Sequence, residues 1–467
     1  MDIQVKNGVI NPNVKIKVDA HKKERSGSMN YIISTIQLSA SVNKPLLRNM
    51  LAFADAHNVP KIYLFVMAGK NKDETAVATM LMDDPRIELM FLDKAGLKLN
   101  SNLKLFDTQI LASQINPLTG FNKKLHRDFS YILPSPKIRY MSIPNTSKYP
   151  RFLATTGAMT HGNYKMHTAQ GRKAELEHEY GFVFVRVNNN RRFDFYPIAA
   201  QKNGNFNHLR EHYKGGQICD QQPEALVLGD IHVGDTCPKA FAASVKQIEE
   251  LKPKRVVIHD LFNGHSINHH ERNNNLSKAR LWKQKMHILE EEVEQCQKVL
   301  NDLAHKFPKI EFLVVESNHD LFMATYIGHE NFLQDGQNSV FACRMFVEVS
   351  NGTKQPILRT AMELCGKIAK NVRFLNEDEE YRVKGVGLDY HGHRGMNGAR
   401  GTSMSFSNNN LVLISAHEHT PKIHPNGMVV GTLTKLKLGY TKGASSWLNA
   451  NGILYSSGKY SLLTLIF

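Results

Sequence analysis

Leu226-Val227-Leu228-Gly229-Asp230-Ile231-His232 is an apolar run that ends in an Asp-x-His pair. A short apolar run closed by polar residues reads as a buried strand, and strand ends are where an α/β sheet presents its chemistry. Three more clusters of the same residue types follow in order: His259-Asp260, Ser317-Asn318-His319-Asp320 and His417-Glu418-His419. Outward from residue 226 the segments alternate. Strand 225–230 is followed by helix 238–251, strand 255–259, helix 278–305 and strand 310–315. That βαβαβ order predicts a parallel sheet covered by helices. Within 278–305, Trp282, Met286, Leu289, Val293, Cys296, Leu300 and Leu303 recur at spacings of four and three. Such a stripe predicts one continuous helix packed on the sheet.

Asp, His and Asn are the side chains that hold hard or borderline divalent cations, and no cysteine stands among them. Asp230 and His232 lie two apart, so on an extended chain both leave the same face. Asp260, ending its strand, offers two carboxylate oxygens and suits a place between two ions. Asn318 supplies a neutral amide oxygen. His417 and His419, again two apart, can reach the same site from a later strand.

The ordered set of Asp-x-His, an Asp at a strand end, Asn-His-Asp, a lone His and His-x-His resembles the calcineurin-like metallophosphoesterase superfamily. The resemblance spans about residues 225 to 435. It implies an α/β fold, a β-sandwich flanked by helices, holding two divalent metal ions. Asp230, His232 and His419 would bind the first ion, Asp260 would bridge, and Asn318 and His417 would bind the second. The remaining ligand would be His391, with His393 as its rival. His319 would act near the leaving group and Asp320 would orient it. Three departures put bulk where the family has glycine: His259 before Asp260, Ser317 before Asn318 and Ala416 before His417.

The implied chemistry is hydrolysis of a phosphodiester by a metal-bridging hydroxide. The Ser/Thr phosphatase branch carries Asp-Arg-Gly after its second motif. Here Asp260 is followed by Leu261-Phe262-Asn263-Gly264, which disfavours that branch. Gly229 to Gly234 and Asn318-His319-Asp320 are more similar to the DNA nuclease branch typified by bacterial SbcD, with some likeness to phage-encoded members. The donor set favours Mn²⁺, with Mg²⁺, Fe or Zn as alternatives. The stretch from His265 to Arg272 reads either as a solvated loop or as a substrate-facing one. In the second reading His265, His269, His270 and Arg272, together with His393 and Arg394, contact phosphate. Two other functions remain: a phosphoesterase for nucleotides or other small esters, and a non-catalytic nucleic-acid-binding protein.

A net charge of +16 favours a polyanionic partner, and DNA as substrate agrees with it. The excess gathers at Lys15 to Arg25, Lys123-Lys124 with His126-Arg127, Arg191-Arg192, and Lys435, Lys437 and Lys442. Phe121, Phe193 and Tyr440 lie near some of these and could stack on bases. The five cysteines are scattered and never paired as Cys-x-x-Cys, which argues against a disulfide framework or zinc ribbon. No stretch approaches the ~20 apolar residues of a membrane span. The expected setting is therefore cytoplasmic, the host cytoplasm if the protein is phage-encoded.

Three units are expected: a basic arm over 1–28, an α/β or α+β domain over 29–220 and the metal-bearing domain over 223–467. Residues 203–222, rich in Asn, Gly, His and Gln, read as the linker. The 29–220 unit shows no catalytic constellation. Thr155-Thr156-Gly157 or Thr160-His161-Gly162 could form a phosphate-binding turn. This unit could bind DNA, mediate assembly such as homo-oligomer formation, or recruit a protein partner.

Overall fold

The Ala225–Val227, Arg255–Ile258, Glu311–Val315 and Val372–Leu375 strands lie side by side and parallel. Ala450–Leu454 pairs antiparallel with Ala225–Val227, and Tyr460–Thr464 closes that edge of a six-stranded sheet. This computed structural model describes residues 28–466, apart from 71–76, 92–95, 107, 109, 127, 148, 269–273, 403–404, 406–410 and 439–440. Side chains alternate along a strand, and the alternation here feeds two cores. Leu226, Val256, Ile258, Phe312 and Val314 pack with the Pro238–Leu251 and Leu289–Lys306 helices. Ala225, Val227, Val257, Leu313 and Val315 face a second core. Burial on both faces is why these strands read as unbroken apolar runs.

The second core is shared with a ten-stranded sheet. Leu97–Asn100, Leu103–Leu105, Ser130–Leu133, Tyr140–Ile143 and Arg151–Thr155 build one half of it. Arg382–Val383, Val386–Gly387, Val412–Ser415, Lys422–His424 and Gly427–Val429 build the other. The halves join where Met141 pairs with Lys422 and Tyr140 with Ile423, antiparallel. Residue 220 is thus no boundary between sheets: strands from 97–155 complete the sheet whose later strands lead into the segments bearing His391, His417 and His419.

A separate five-stranded sheet runs Phe193–Ala199, Gly181–Val187, Met29–Gln37, Lys61–Met67, Ile87–Met90. The Lys44–Ala56 helix packs on it through Leu46, Met50 and Phe53. Pro45 sits in the first turn of that helix, and Asn43 caps it by accepting the Leu46 N–H at 3.1 Å. The whole is a mixed α/β protein, and no helix among the described residues is long and apolar enough to cross a membrane.

Several local expectations change. Residues 203–222 are not a bare linker: Phe206–His208, Glu211–Lys214 and Gln217–Asp220 form a three-stranded antiparallel sheet. The helix expected over 278–305 is two, Asn275–Gln284 and Leu289–Lys306. Lys285 adopts a left-handed φ of 56°, which ends the first helix. Asn338 then holds the break, accepting the Leu289 N–H at 2.7 Å and donating to the His287 carbonyl at 3.1 Å. Trp282 consequently leaves the apolar stripe and stays 60% exposed.

The two threonine strings form no anion turn. Thr155 Oγ1 donates to Lys137 O, Thr156 Oγ1 to Gly157 O, and Thr160 Oγ1 accepts the Gln37 N–H. Of the three aromatics placed near basic patches, Phe193 is buried. Phe121 is half-buried with Lys124 over its ring, and Tyr440 lies outside the described residues.

Candidate metal centre

Asp230 is placed by strand contacts rather than by a strand of its own. The Ala225–Val227 strand ends before it, and Gly229 lets the chain pass where a Cβ would meet the Gly431 backbone at 2.8 Å. The Asp230 main chain is then pinned from both sides: its N–H donates to Gly431 O, and its carbonyl accepts the Leu433 N–H. His232 follows in a left-handed conformation, φ 44°, held by its N–H donating to Asp260 O at 2.7 Å. Asp260 (φ 41°), His417 (φ 70°) and His419 (φ 56°) share that region. Each such residue costs on the order of 1 kcal/mol or more and persists only where its surroundings enforce it. Side chains therefore converge here by turns beyond the strand ends, not by extended-chain alternation as the sequence suggested.

Two groups of ligand atoms result. Asp230, His232, Asp260 and His419 form one, and Asp260, His391 and His417 form the other, each with atoms within 4.8 Å of one another. Asp260 belongs to both groups. Asp260 Oδ2 lies 3.2 Å from His391 Nε2 and 3.4 Å from His232 Nε2. Asp230 Oδ2 lies 3.1 Å from His419 Nε2 and accepts the His417 N–H at 2.9 Å. Asn318 Oδ1 is 3.1 Å from His391 Nε2, so its amide oxygen joins the second group.

Asp230, His232, Asp260, His391 and His419 are buried. Asp230 Oδ1 and Asp260 Oδ1 are buried with no hydrogen-bond partner. Two carboxylates out of water, each with an unsatisfied oxygen, are costly unless a cation lies between them. That donor set, carboxylate, imidazole and amide without thiolate, fits divalent cations.

The electrostatics agree. Burial works to raise the Asp260 carboxyl, but His391, His319 and His232 outweigh it and hold it well below the usual range. Burial likewise opposes the charge on His391, yet Asp260 and Asp230 lift it to about 9. His232 is pushed down to about 3 by burial, so it stays a neutral donor. His391 has to surrender its proton before it can ligate, so cation binding weakens in acid.

His319 sits at the rim, its ring 4.6 Å from that of His232. Its Nδ1 is 2.6 Å from the Asn263 carbonyl oxygen, which fixes Nδ1 as the protonated donor. Asp320 does not orient it. Asp320 Oδ2 accepts the Ser317 N–H at 2.9 Å, capping its own turn, and burial pushes its carboxyl up to about 8. Neighbouring residues in this turn point apart, which the string Asn-His-Asp cannot reveal.

The expected substrate contacts divide. His265 Nε2 lies 3.0 Å from Asp235 Oδ2 and 2.8 Å from Asn263 Nδ2, and Asn263 Nδ2 donates to Asp235 Oδ2 at 3.0 Å. His265 thus braces the segment that holds His319. His393 Nε2 lies 2.8 Å from Glu377 Oε1, and Arg394 also pairs with Glu377. Of the two rival histidines, His391 carries its ring nitrogen in the ligand group and His393 does not. His269, His270 and Arg272 lie outside the described residues. Sequence reading missed Asn263 and Asp235 as participants. The signal present was a polar side chain three positions after each of Asp260 and His232.

The three departures from glycine are accommodated. His259 is fully buried with its ring 5.6 Å from that of His391, and burial takes it down to about 3. Ser317 is buried and its hydroxyl receives the Asp320 N–H at 3.4 Å. Ala416 donates its N–H to the His391 carbonyl at 2.8 Å.

No family model matches the chain. Protein A1 of Escherichia phage T5 is 26% identical over 377 residues, which cover 76% of this chain and 67% of that protein. Vps29 of Chaetomium thermophilum, solved with the cyclic peptide RT-D3, aligns with 38% of this chain and 92% of its own at 11% identity. Its TM-score of 0.24 is too low to assign a shared fold. The chain thus has a distant phage relative and a buried cluster of Asp and His able to hold metal ions, compatible with a metallophosphoesterase.

Proposed function

We propose that this protein is a metallophosphoesterase-type phosphodiesterase that uses two divalent ions to hydrolyse DNA. The observation that carries the reading is Asp260: one buried carboxylate shared by two ligand groups, with an unpartnered oxygen. Asp230, His232, Asp260 and His419 would hold one ion, and Asp260, Asn318, His391 and His417 the other. Mn²⁺ is the first choice for this donor set. Bound there, two ions lower the pKa of water and neutralise charge on the phosphate.

The chain supplies the rest. His319 donates Nδ1–H to Asn263 O, which leaves Nε2 directed away from that carbonyl. In its imidazolium form His319 would carry a second proton on Nε2, which could pass to the departing oxygen of the diester. Asp235 and His265 keep Asn263 in place. The two-sheet core with helices on its outer face is consistent with the sandwich of that superfamily. The net charge of +16 supports DNA over a small ester, and the phage relative fits a role in the host cytoplasm.

The test is purified protein on linear and circular DNA with Mn²⁺, Mg²⁺ or EDTA, beside a small diester. Metal-dependent cleavage of DNA that EDTA abolishes is the expected result, with DNA binding that weakens steeply as salt rises. Turnover of the small diester alone would favour the nucleotide-scale reading. DNA binding without turnover would favour a binding protein.

A further inference from the structure

We propose that the cavity walled by Trp282, beside the metal centre, seats one unpaired nucleobase of the DNA being cut. The proposal deepens the phosphodiesterase reading and rests on it for the link to catalysis. The cavity measures about 370 Å³, within the ~300–1,000 Å³ of small-molecule sites. It opens between the Asn275–Gln284 helix, the His265–Ile267 turn and residues 334–338.

Its position ties it to the reaction. His265 lines the cavity and also contacts Asp235 and Asn263. Asn263 in turn holds His319 through its carbonyl. A nucleotide in the cavity therefore lies against the segment that sets the His319 imidazole.

The wall is built rather than collapsed. Glu292, buried on the Leu289–Lys306 helix, accepts the His265 N–H at 2.9 Å and the Ser266 N–H at 3.0 Å. It also accepts the Ser266 hydroxyl at 2.7 Å. Two buried carboxylate oxygens thus hold the turn in one conformation while its other side faces the cavity.

The lining chemistry fits a base. Trp282 lines the cavity and is 60% exposed, with its ring 4.3 Å from that of His287, which also lines it. Aromatic faces are where unpaired bases stack. Gln334 and Gln337 are exposed, and among the described residues their side-chain amides have no hydrogen-bond partner. An amide offers the donor and acceptor that read a base edge. Lys278, one turn before Trp282 on the same helix face, brings a cation for the attached phosphate.

The test begins without metal. Calorimetry in EDTA compares dAMP with deoxyribose 5-phosphate on the full-length protein, Trp282→Ala and Trp282→Phe. Wild type binds dAMP; Trp282→Ala weakens it roughly tenfold or more, and Trp282→Phe stays within about threefold. No dAMP binding, or equal affinity in Trp282→Ala, overturns the site. With Mn²⁺, Trp282→Ala raises the KM for DNA and leaves kcat on bis(4-nitrophenyl) phosphate unchanged. An unchanged KM for DNA overturns the link to the reaction. A wild type that cleaves neither substrate defeats the enzyme reading, while the metal-free titration still decides the pocket.

Discussion

Asp260→Asn removes one charge and almost no volume, so it leaves no cavity to confuse the result. The side chain is 2% exposed, and its Oδ2 stands 3.2 Å from His391 and 3.4 Å from His232. Taking one ionised partner out of a buried set costs about 3–5 kcal/mol. At ~1.4 kcal/mol per decade, cation affinity falls roughly 10²- to 10⁴-fold. The assay is a pair of unfolding curves, in EDTA and with Mn²⁺ at about one hundred times the wild-type Kd. A single bound ion stabilises wild type by about 2.7 kcal/mol at that concentration, and the variant by about 0.4 kcal/mol or less. DNA cleavage measured on the same preparations should vanish with the stabilisation. The EDTA curve shows that the variant has folded. A variant that gains as much from Mn²⁺ as wild type, or cuts DNA at the same rate, refutes a shared carboxylate.

His319→Ala should keep the Mn²⁺-dependent stabilisation and lose about 10²- to 10⁴-fold in turnover; loss of the stabilisation would make His319 a ligand instead. Asp320→Asn preserves an acceptor for the Ser317 N–H, so stability should change by about 1 kcal/mol or less, with turnover retained. A fall in turnover as deep as that of His319→Ala would restore Asp320 as the residue that orients the imidazole. Acid should weaken the fold. Burial holds His208 down to about 3, and His178 and His424 to about 4. Above pH ~6.5 these histidines are neutral folded or unfolded; below it the unfolded chain takes up protons that the fold refuses. Each then removes up to about 1.4 kcal/mol per pH unit until its folded pKa is reached. Urea midpoints at pH 7.5, 6 and 5 measure this, and a flat profile would contradict it.

Where chemistry is local, the sequence carried it. The apolar runs before Asp230, Asp260 and Asn318 report burial on both faces of a parallel sheet, and helix 238–251 forms at the residues its pattern marks. Asp230, His232, Asp260, Asn318, His417 and His419 stood out by residue type and order, while their roles came from the family resemblance, and type and order left His393 as a rival to His391.

Tertiary structure decided whatever depends on contacts far apart in the chain. Tyr140 pairing with Ile423 merges two stretches that composition separates, since a hydrophobic period reports that a strand is buried and not which strand lies beside it. Four left-handed residues shape the Asp and His cluster, a conformation that the surrounding hydrogen bonds enforce. His319 meets the main chain of Asn263, 56 residues earlier, instead of its neighbour Asp320. A backbone carbonyl has no identity in the sequence, so no reading of side chains could have named it.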